Sequence, residues 1–267
     1  MKLIVNADDY GLNENTTKAI AECFARGELS NTTIVVNSDY FKTALDIAKG
    51  NGFFDRIGLH VNLVEGMPLT DNIKKYREFC SEDGSFNCNF LHSKKMRLYL
   101  PKNVRIAAED EIRAQMERFI SYGFPLKHYD SHRHACTALS LLRNSLKAAV
   151  DFGFQTTRIY INLSGNSTGG RLSFEKSVYC KLVSNMITAA GLKHTEYFGY
   201  SWDLARKHKE LPSNSSVEVL CHPDYRNADK DFDMNGELMD WKTPWAETNA
   251  NLAAVQGSIR KISFNDL

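Results

Sequence analysis

The chain has 267 residues, 43% of them hydrophobic and 24% charged, and its 33 basic and 32 acidic side chains leave a net charge of +1. That balance gives no electrostatic footprint for nucleic acid or an anionic membrane, and the length suits one large domain of the size of a (β/α) barrel, roughly 250 residues. Residues 1–6 show no basic leader or apolar h-region, and no stretch approaches the ~18 apolar residues that cross a bilayer. Six scattered cysteines without a CxxC point to neither a zinc ribbon nor a disulfide framework. A cytoplasmic protein with a single domain over 1–267 is the expectation.

In chain order, Leu3, Ile4 and Val5 read as a strand buried on both faces, and the polar "ADDYGLNEN" as the turn after it. "TTKAIAECFARGEL" follows with Ala19, Ile20, Cys23 and Phe24 at helical spacing and Gly27 as its stop. "NTTIVVNS" reads as a β-branched strand, "YFKTALDIAKGNG" as a helix and "RIGLHVNL" as another strand. Such alternation is the signature of a parallel α/β fold. Residues 68–102 read as a long loop with short helices, a length usually kept for function. A helix is predicted over 103–122 with Ile106, Ile112, Met116, Phe119 and Ile120 on one face, ended by Gly123 and Pro125. Then come a strand in "LKHYDSHRHAC", a helix closed by Gly153, a strand in "TTRIYI", a helix over 174–190, the strand "SVEVLCHPDY", and a terminal helix and strand.

Four of these strand segments end in ionisable residues: Asp8 with Asp9, His60, Asp130 with His132 and His134, and His222. In parallel α/β folds ligands sit at the carboxyl ends of the strands, so residues far apart in sequence converge there. A single Asp after a strand more often caps a helix or makes an Asx turn. An adjacent pair can divide its work, because neighbours on an extended segment point in different directions. His60 alone reads equally well as a buried histidine satisfied by a hydrogen bond. His132 and His134, two apart on a strand, would face one side, and neutral imidazole is a common ligand for transition metals. Taken together with the Asp pair, a site of two histidines and one carboxylate becomes the reading. His222, an imidazole at yet another strand end, is of a residue type that suits a general acid.

The motifs "VNADDYGLN", "TTIVVNS", "GLHVNLVEGMPLT", "HYDSHRH" and "EVLCHPDY" occur in an order that resembles the YdjC-like carbohydrate deacetylases, the chitooligosaccharide deacetylase type, over essentially the whole chain. The resemblance implies a deformed TIM-like (β/α) barrel and removal of the N-acetyl group from an N-acetylglucosamine-type unit of a small oligosaccharide. It further implies one divalent metal ion, zinc or magnesium, on Asp9, His60 and His132, with Asp8 as catalytic base, His222 as candidate acid and a homodimer as the assembly. Water activated by the metal would be the nucleophile. Arg158, next to a strand, is read either as orienting Asp8 or a sugar hydroxyl or as a surface ion pair. Trp202, Trp241 and Trp245 are candidate sugar-stacking aromatics that read equally as core. Where the family commonly carries an Arg-Glu pair, this chain has Ala246-Glu247.

Three other classes are weighed against this reading, of which a phosphatase of the haloacid dehalogenase type needs Asp-x-Asp after its first strand, where this chain has the adjacent Asp8 and Asp9. Metal-dependent amidohydrolases place an HxH motif on their first strand, whereas "HRH" arrives here mid-chain. A carbohydrate-binding protein without turnover would have no need of the whole set Asp8, Asp9, His60, His132 and His222.

Overall fold

The computed structural model describes residues 1–163, 174–223 and 259–267, together with 231–232, 238–239, 250–251 and 253. Trp241, Trp245 and the Ala246-Glu247 pair lie outside the described residues. Strand β1 (Lys2–Tyr10) leads into α1 (Glu14–Ala25), β2 (Asn31–Ile34), α2 (Phe41–Gly50) and β3 (Ile57–Val61). Two short helices, α3 (Asn89–His92) and α4 (Lys94–Leu98), precede the long α5 (Lys102–Ser121). There follow β4 (His128–Ser131), α6 (Leu139–Asp151), β5 (Thr156–Thr157), α7 (Phe174–Ala189), β6 (Tyr197–Tyr200), α8 (Ser201–Lys207) and β7 (Ser216–Cys221). β8 (Asp231–Phe232) and β9 (Leu238–Met239) form a small antiparallel pair, and β10 (Arg260–Lys261) adds to the start of β1.

The main sheet runs in the order β5-β4-β3-β2-β1-β7-β6, with every pairing parallel. Its two ends approach each other. Thr156 bridges Lys193 in parallel, and the N–H groups of Asn162 and Leu163 donate to the Phe198 carbonyl at 3.1 and 3.0 Å. The sheet therefore curls into a deformed (β/α) barrel whose seam between β5 and β6 is irregular. The expected parallel α/β architecture is present, and among the described residues no helix is long and apolar enough to cross a membrane.

Helices cover the outer face because their apolar stripes match the sheet. Ile20 and Cys23 of α1, Phe41 and Ala44 of α2, Ile112, Met116 and Phe119 of α5 and Leu142 of α6 are buried in one cluster with the strand residues Val5, Ile34 and Leu59. The predicted face of α5 needs one correction. Ile106 is exposed, and the buried face also carries Glu111 and Gln115, two polar residues that apolar periodicity alone passes over. Residues 68–102 form the expected irregular segment with short helices, pinned to the core by Ile73, Phe79 and Phe90. All six cysteines are free thiols. β6 and α8 are absent from the sequence reading.

Strands β3 and β4 pack closely at Gly58, where an added Cβ would lie 2.9 Å from His128 Cδ2 and 3.0 Å from the His128 carbonyl oxygen. His128 cannot retreat, because its ring stacks on Phe264 with centroids 3.5 Å apart. Gly58→Ala is thus expected to destabilise the fold by about 1–3 kcal/mol through overpacking. A lowered urea midpoint with an unchanged m-value checks this; an unchanged midpoint contradicts it.

Candidate active site

The sequence reading ended β1 before "ADDYG", but the strand continues to Tyr10. Its register to β2 steps from Ala7↔Thr32 to Tyr10↔Ile34, which inserts one extra residue and makes a β-bulge. Asp9 adopts φ of 69° there, a left-handed conformation that non-glycine residues seldom take. The bulge breaks the alternation of the strand, so that Asp8 and Asp9 both meet polar partners inside the mouth. Gly11, at φ 77°, turns the chain away, with Ile34 only 3.0 Å from where a Cβ would sit.

Asp9 lies between two imidazoles. Its Oδ1 is 3.0 Å from His60 Nε2 and 2.6 Å from His132 Nδ1. His60, on β3, uses its other nitrogen against Asp130 of β4, with Nδ1 to Oδ1 at 2.5 Å. His132, directly after β4, uses Nε2 against Glu65 Oε1 at 2.6 Å. Burial works against charge on both rings, yet the carboxylates around them prevail. Asp130, Asp9 and Asp8 push His60 up to about 10, and Asp9 and Glu65 push His132 up to about 9. Burial likewise opposes ionisation of Asp9, and the two histidines overcome it and hold its pKa well below the usual carboxylate range.

Asp8 faces a different cation. Arg158, just past β5, donates from its two Nη atoms to the two carboxylate oxygens of Asp8 at 2.7 and 2.6 Å, and Asn6 Nδ2 donates to Oδ1 at 2.9 Å. The same guanidinium reaches Asp130 Oδ2 at 2.9 Å and Glu218 Oε1 of β7 at 2.6 Å, and it lies 4.7 Å from the centroid of the Phe198 ring. Arg158 is buried, which removes the surface ion pair from its possible roles. Despite burial, its charge holds the Asp8 carboxyl far below the ordinary value. His222, at the end of β7, places Nε2 3.9 Å from both Asp8 Oδ2 and Asp9 Oδ2.

The predicted set thus converges at the carboxyl ends of the strands, with one correction. β4 ends at Ser131, and the chain passes through positive φ at Arg133 and His134 (49° and 55°). His134 therefore does not share a strand face with His132. It packs edge-on to Phe198 with ring centroids 5.9 Å apart, and burial lowers its pKa to about 3. Trp202 stacks on Tyr200 at 4.4 Å between centroids. A cavity of about 480 Å³, whose walls include Asn37, Asp39, Tyr40, Asn62 and Met67, meets the site through Glu65. That volume falls within the range of small-ligand sites.

A protein-family model described as YdjC-like protein matches residues 2–254. The chain belongs to the YdjC-like family. Among its relatives, a protein of Danio rerio named carbohydrate deacetylase is 32% identical over 60% of this chain and 50% of its own length. Proteins of the same name from Listeria monocytogenes (strain EGD-e) and Thermoanaerobacter pseudethanolicus are 28% and 30% identical, each over 84% of this chain and 81% of the relative. In fold, the chain is similar to a solved structure from Enterococcus faecalis V583 described as a candidate cellobiose-phosphate cleavage protein. The TM-score is 0.69 at 20% identity, over 99% of this chain and 98% of that one.

The metal that a YdjC-like assignment implies has a fitting donor set. Asp9, His60 and His132 offer three ligand atoms within 4.8 Å of one another, and so do Asp8, His60 and Asp130. In the second group Arg158 already lies against both carboxylates. In the first, the charge opposite Asp9 is supplied by two ring protons, which a divalent cation can replace.

Sequence reasoning missed Glu65 and Glu218. The "VEG" stretch carries Glu65 in a loop, and Glu218 looks like an outward-facing residue of an alternating strand. The structure buries Glu218 completely, with no hydrogen-bond partner on Oε2 among the described residues. Burial raises its carboxyl to about 7, with Arg158 opposing the rise. A raised folded-state value means that the protonated form is the one stabilised. That stability is full below the ordinary value of 4.5 and is lost as pH rises through about 7. Glu218→Gln retains an acceptor for Arg158 Nε and should flatten this part of the pH dependence. Thermal midpoints of both proteins from about pH 5 to about pH 8 test it, and parallel curves would contradict it.

Proposed function

We propose that the protein hydrolyses the N-acetyl group of an N-acetylglucosamine-type unit in a small oligosaccharide, releasing acetate, with a divalent cation on Asp9, His60 and His132. The observation that carries this reading is the division of the Asp pair. Asp9 faces two imidazoles, while Asp8 faces a fixed guanidinium and stays ionised. The relatives' name, carbohydrate deacetylase, supports loss of an acetyl group from a carbohydrate, and the N-acetylglucosamine-type unit rests on the resemblance of the motifs. Two nitrogen donors beside one carboxylate favour zinc over magnesium.

An amide is a weak electrophile with a poor leaving group, so its hydrolysis needs an activated water, a polarised carbonyl and a proton for the departing amine. A bound cation supplies Lewis-acid polarisation and acidifies water. Asp8 accepts the proton of the attacking water. Arg158 and Asn6 fix the direction of its carboxylate, so Arg158 serves as the residue that orients the base. The low proton affinity that Arg158 imposes lets Asp8 hold that proton only briefly. His222, within 3.9 Å of Asp8 and 30% exposed in its side chain, delivers a proton to the sugar nitrogen as the tetrahedral intermediate collapses.

Loss of the base is expected to cost about 100-fold to 10,000-fold in rate. Asp8→Asn should therefore release acetate from short chitooligosaccharides at least about 100 times more slowly while binding stoichiometric zinc. Asp9→Ala should lose the zinc itself. Acetate release with metal analysis on the same samples separates these outcomes; an Asp8→Asn protein with most of its activity would remove Asp8 from the role of base. Native protein that binds zinc but releases acetate from no N-acetylated glycan would sink the deacetylase reading.

A further inference from the structure

Glu65 approaches the centre from outside the three ligands. Its Oε1 is 2.6 Å from His132 Nε2, and its side chain is 45% exposed along the wall of the 480 Å³ cavity. A carboxylate only accepts hydrogen bonds, so this contact places a proton on His132 Nε2 and leaves Nδ1, the atom 2.6 Å from Asp9 Oδ1, to carry the lone pair when a cation is present. His60 is held in the opposite sense. Asp130 takes its Nδ1–H at 2.5 Å and leaves Nε2 toward Asp9. The two imidazoles thus need one carboxylate each to fix which nitrogen faces the cation.

The loop that carries Glu65 is anchored for such a task. Asn62 Oδ1 accepts from the N–H groups of Val64 and Glu65 at 3.0 and 3.2 Å, and its Nδ2 donates to the Glu65 carbonyl at 2.8 Å. Gln115 grips the Asn62 backbone from both sides, accepting from its N–H at 2.8 Å and donating to its carbonyl at 2.7 Å. Glu111 accepts from the N–H groups of Leu69 and Thr70 at 2.9 and 2.8 Å. Glu111 and Gln115 are fully buried on α5. These polar residues on the inner face of a long helix account for the position of a half-exposed carboxylate two turns of loop away.

We propose that Glu65 is a positioning residue of the metal centre, fixing His132 in the tautomer that presents Nδ1 to the cation. The inference rests on the metal reading of Asp9, His60 and His132 and not on the acetyl chemistry, so its test fails or succeeds independently of acetate release. Calorimetric titration of zinc into the metal-free full chain should show Glu65→Ala binding about 10–100-fold more weakly than the native protein. Glu65→Gln, whose amide oxygen still accepts from Nε2–H, should stay within about 3-fold of native, because the hydrogen bond rather than the charge does the fixing. Unchanged affinity in Glu65→Ala overturns the proposal, and so does a Glu65→Gln protein as weak as Glu65→Ala. Long-range ¹H–¹⁵N spectra of the zinc-loaded native chain read the same point without any substitution. They should show His132 protonated on Nε2, and zinc on Nε2 would overturn the assignment.

Discussion

A buried guanidinium organises this protein. Arg158 sits among Asp8 of β1, Asp130 of β4 and Glu218 of β7, with Phe198 of β6 against its plane. These strands span both ends of the curled sheet, so one side chain ties the mouth of the barrel where its seam is least regular. Removing one partner from a buried pair typically costs about 3–5 kcal/mol, because the remaining charge has neither water nor a partner. The site is therefore part of what holds the strand ends in place, and its residues are under a structural constraint as well as a chemical one.

The same constraint decides where a cation can go. Arg158 already serves Asp8 and Asp130, and it cannot leave with a change of pH. Positive charge opposite Asp9 comes instead from imidazolium protons on His60 and His132, which a metal can displace. Asp130 links the two halves, accepting from Arg158 with one oxygen and from His60 Nδ1 with the other. A permanent cation on one side thereby fixes the orientation of the His60 ring on the other.

The parallel fold was legible in the sequence because the β-branched and apolar runs of β1, β2, β3 and β7 alternate with amphipathic helices. The clustering of Asp8, Asp9, His60, His132 and His222 was legible for a related reason, since each stands at the end of such a run. The continuation of β1 through the Asp pair was hidden, because two carboxylates and a following glycine look like a turn until Arg158 and the histidines are there to receive them. β6 was hidden because "YFGY" is four residues long and its glycine is required by Leu163, whose Cβ would lie 2.8 Å from an added Cβ at Gly199. Glu111 and Gln115 were hidden because their hydrogen bonds run from a helix to a loop 42 and 53 residues away in sequence, and Glu65 because its partner His132 lies 67 residues further on.

The adjacent carboxylates show how environment rather than residue type assigns a role. Both are held ionised against burial, but by partners of different kinds. The partner of Asp8 is a guanidinium that stays charged throughout the accessible pH range, so Asp8 remains a fixed anion of low proton affinity. The partners of Asp9 are rings whose protons can be exchanged for a metal, so Asp9 can become a ligand without any rearrangement of the backbone. The extra residue in β1 makes this separation possible. A regular strand would send one of the two side chains to the opposite face of the sheet, away from the mouth, whereas the bulge at Asp9 brings both to the same mouth and gives each its own cation.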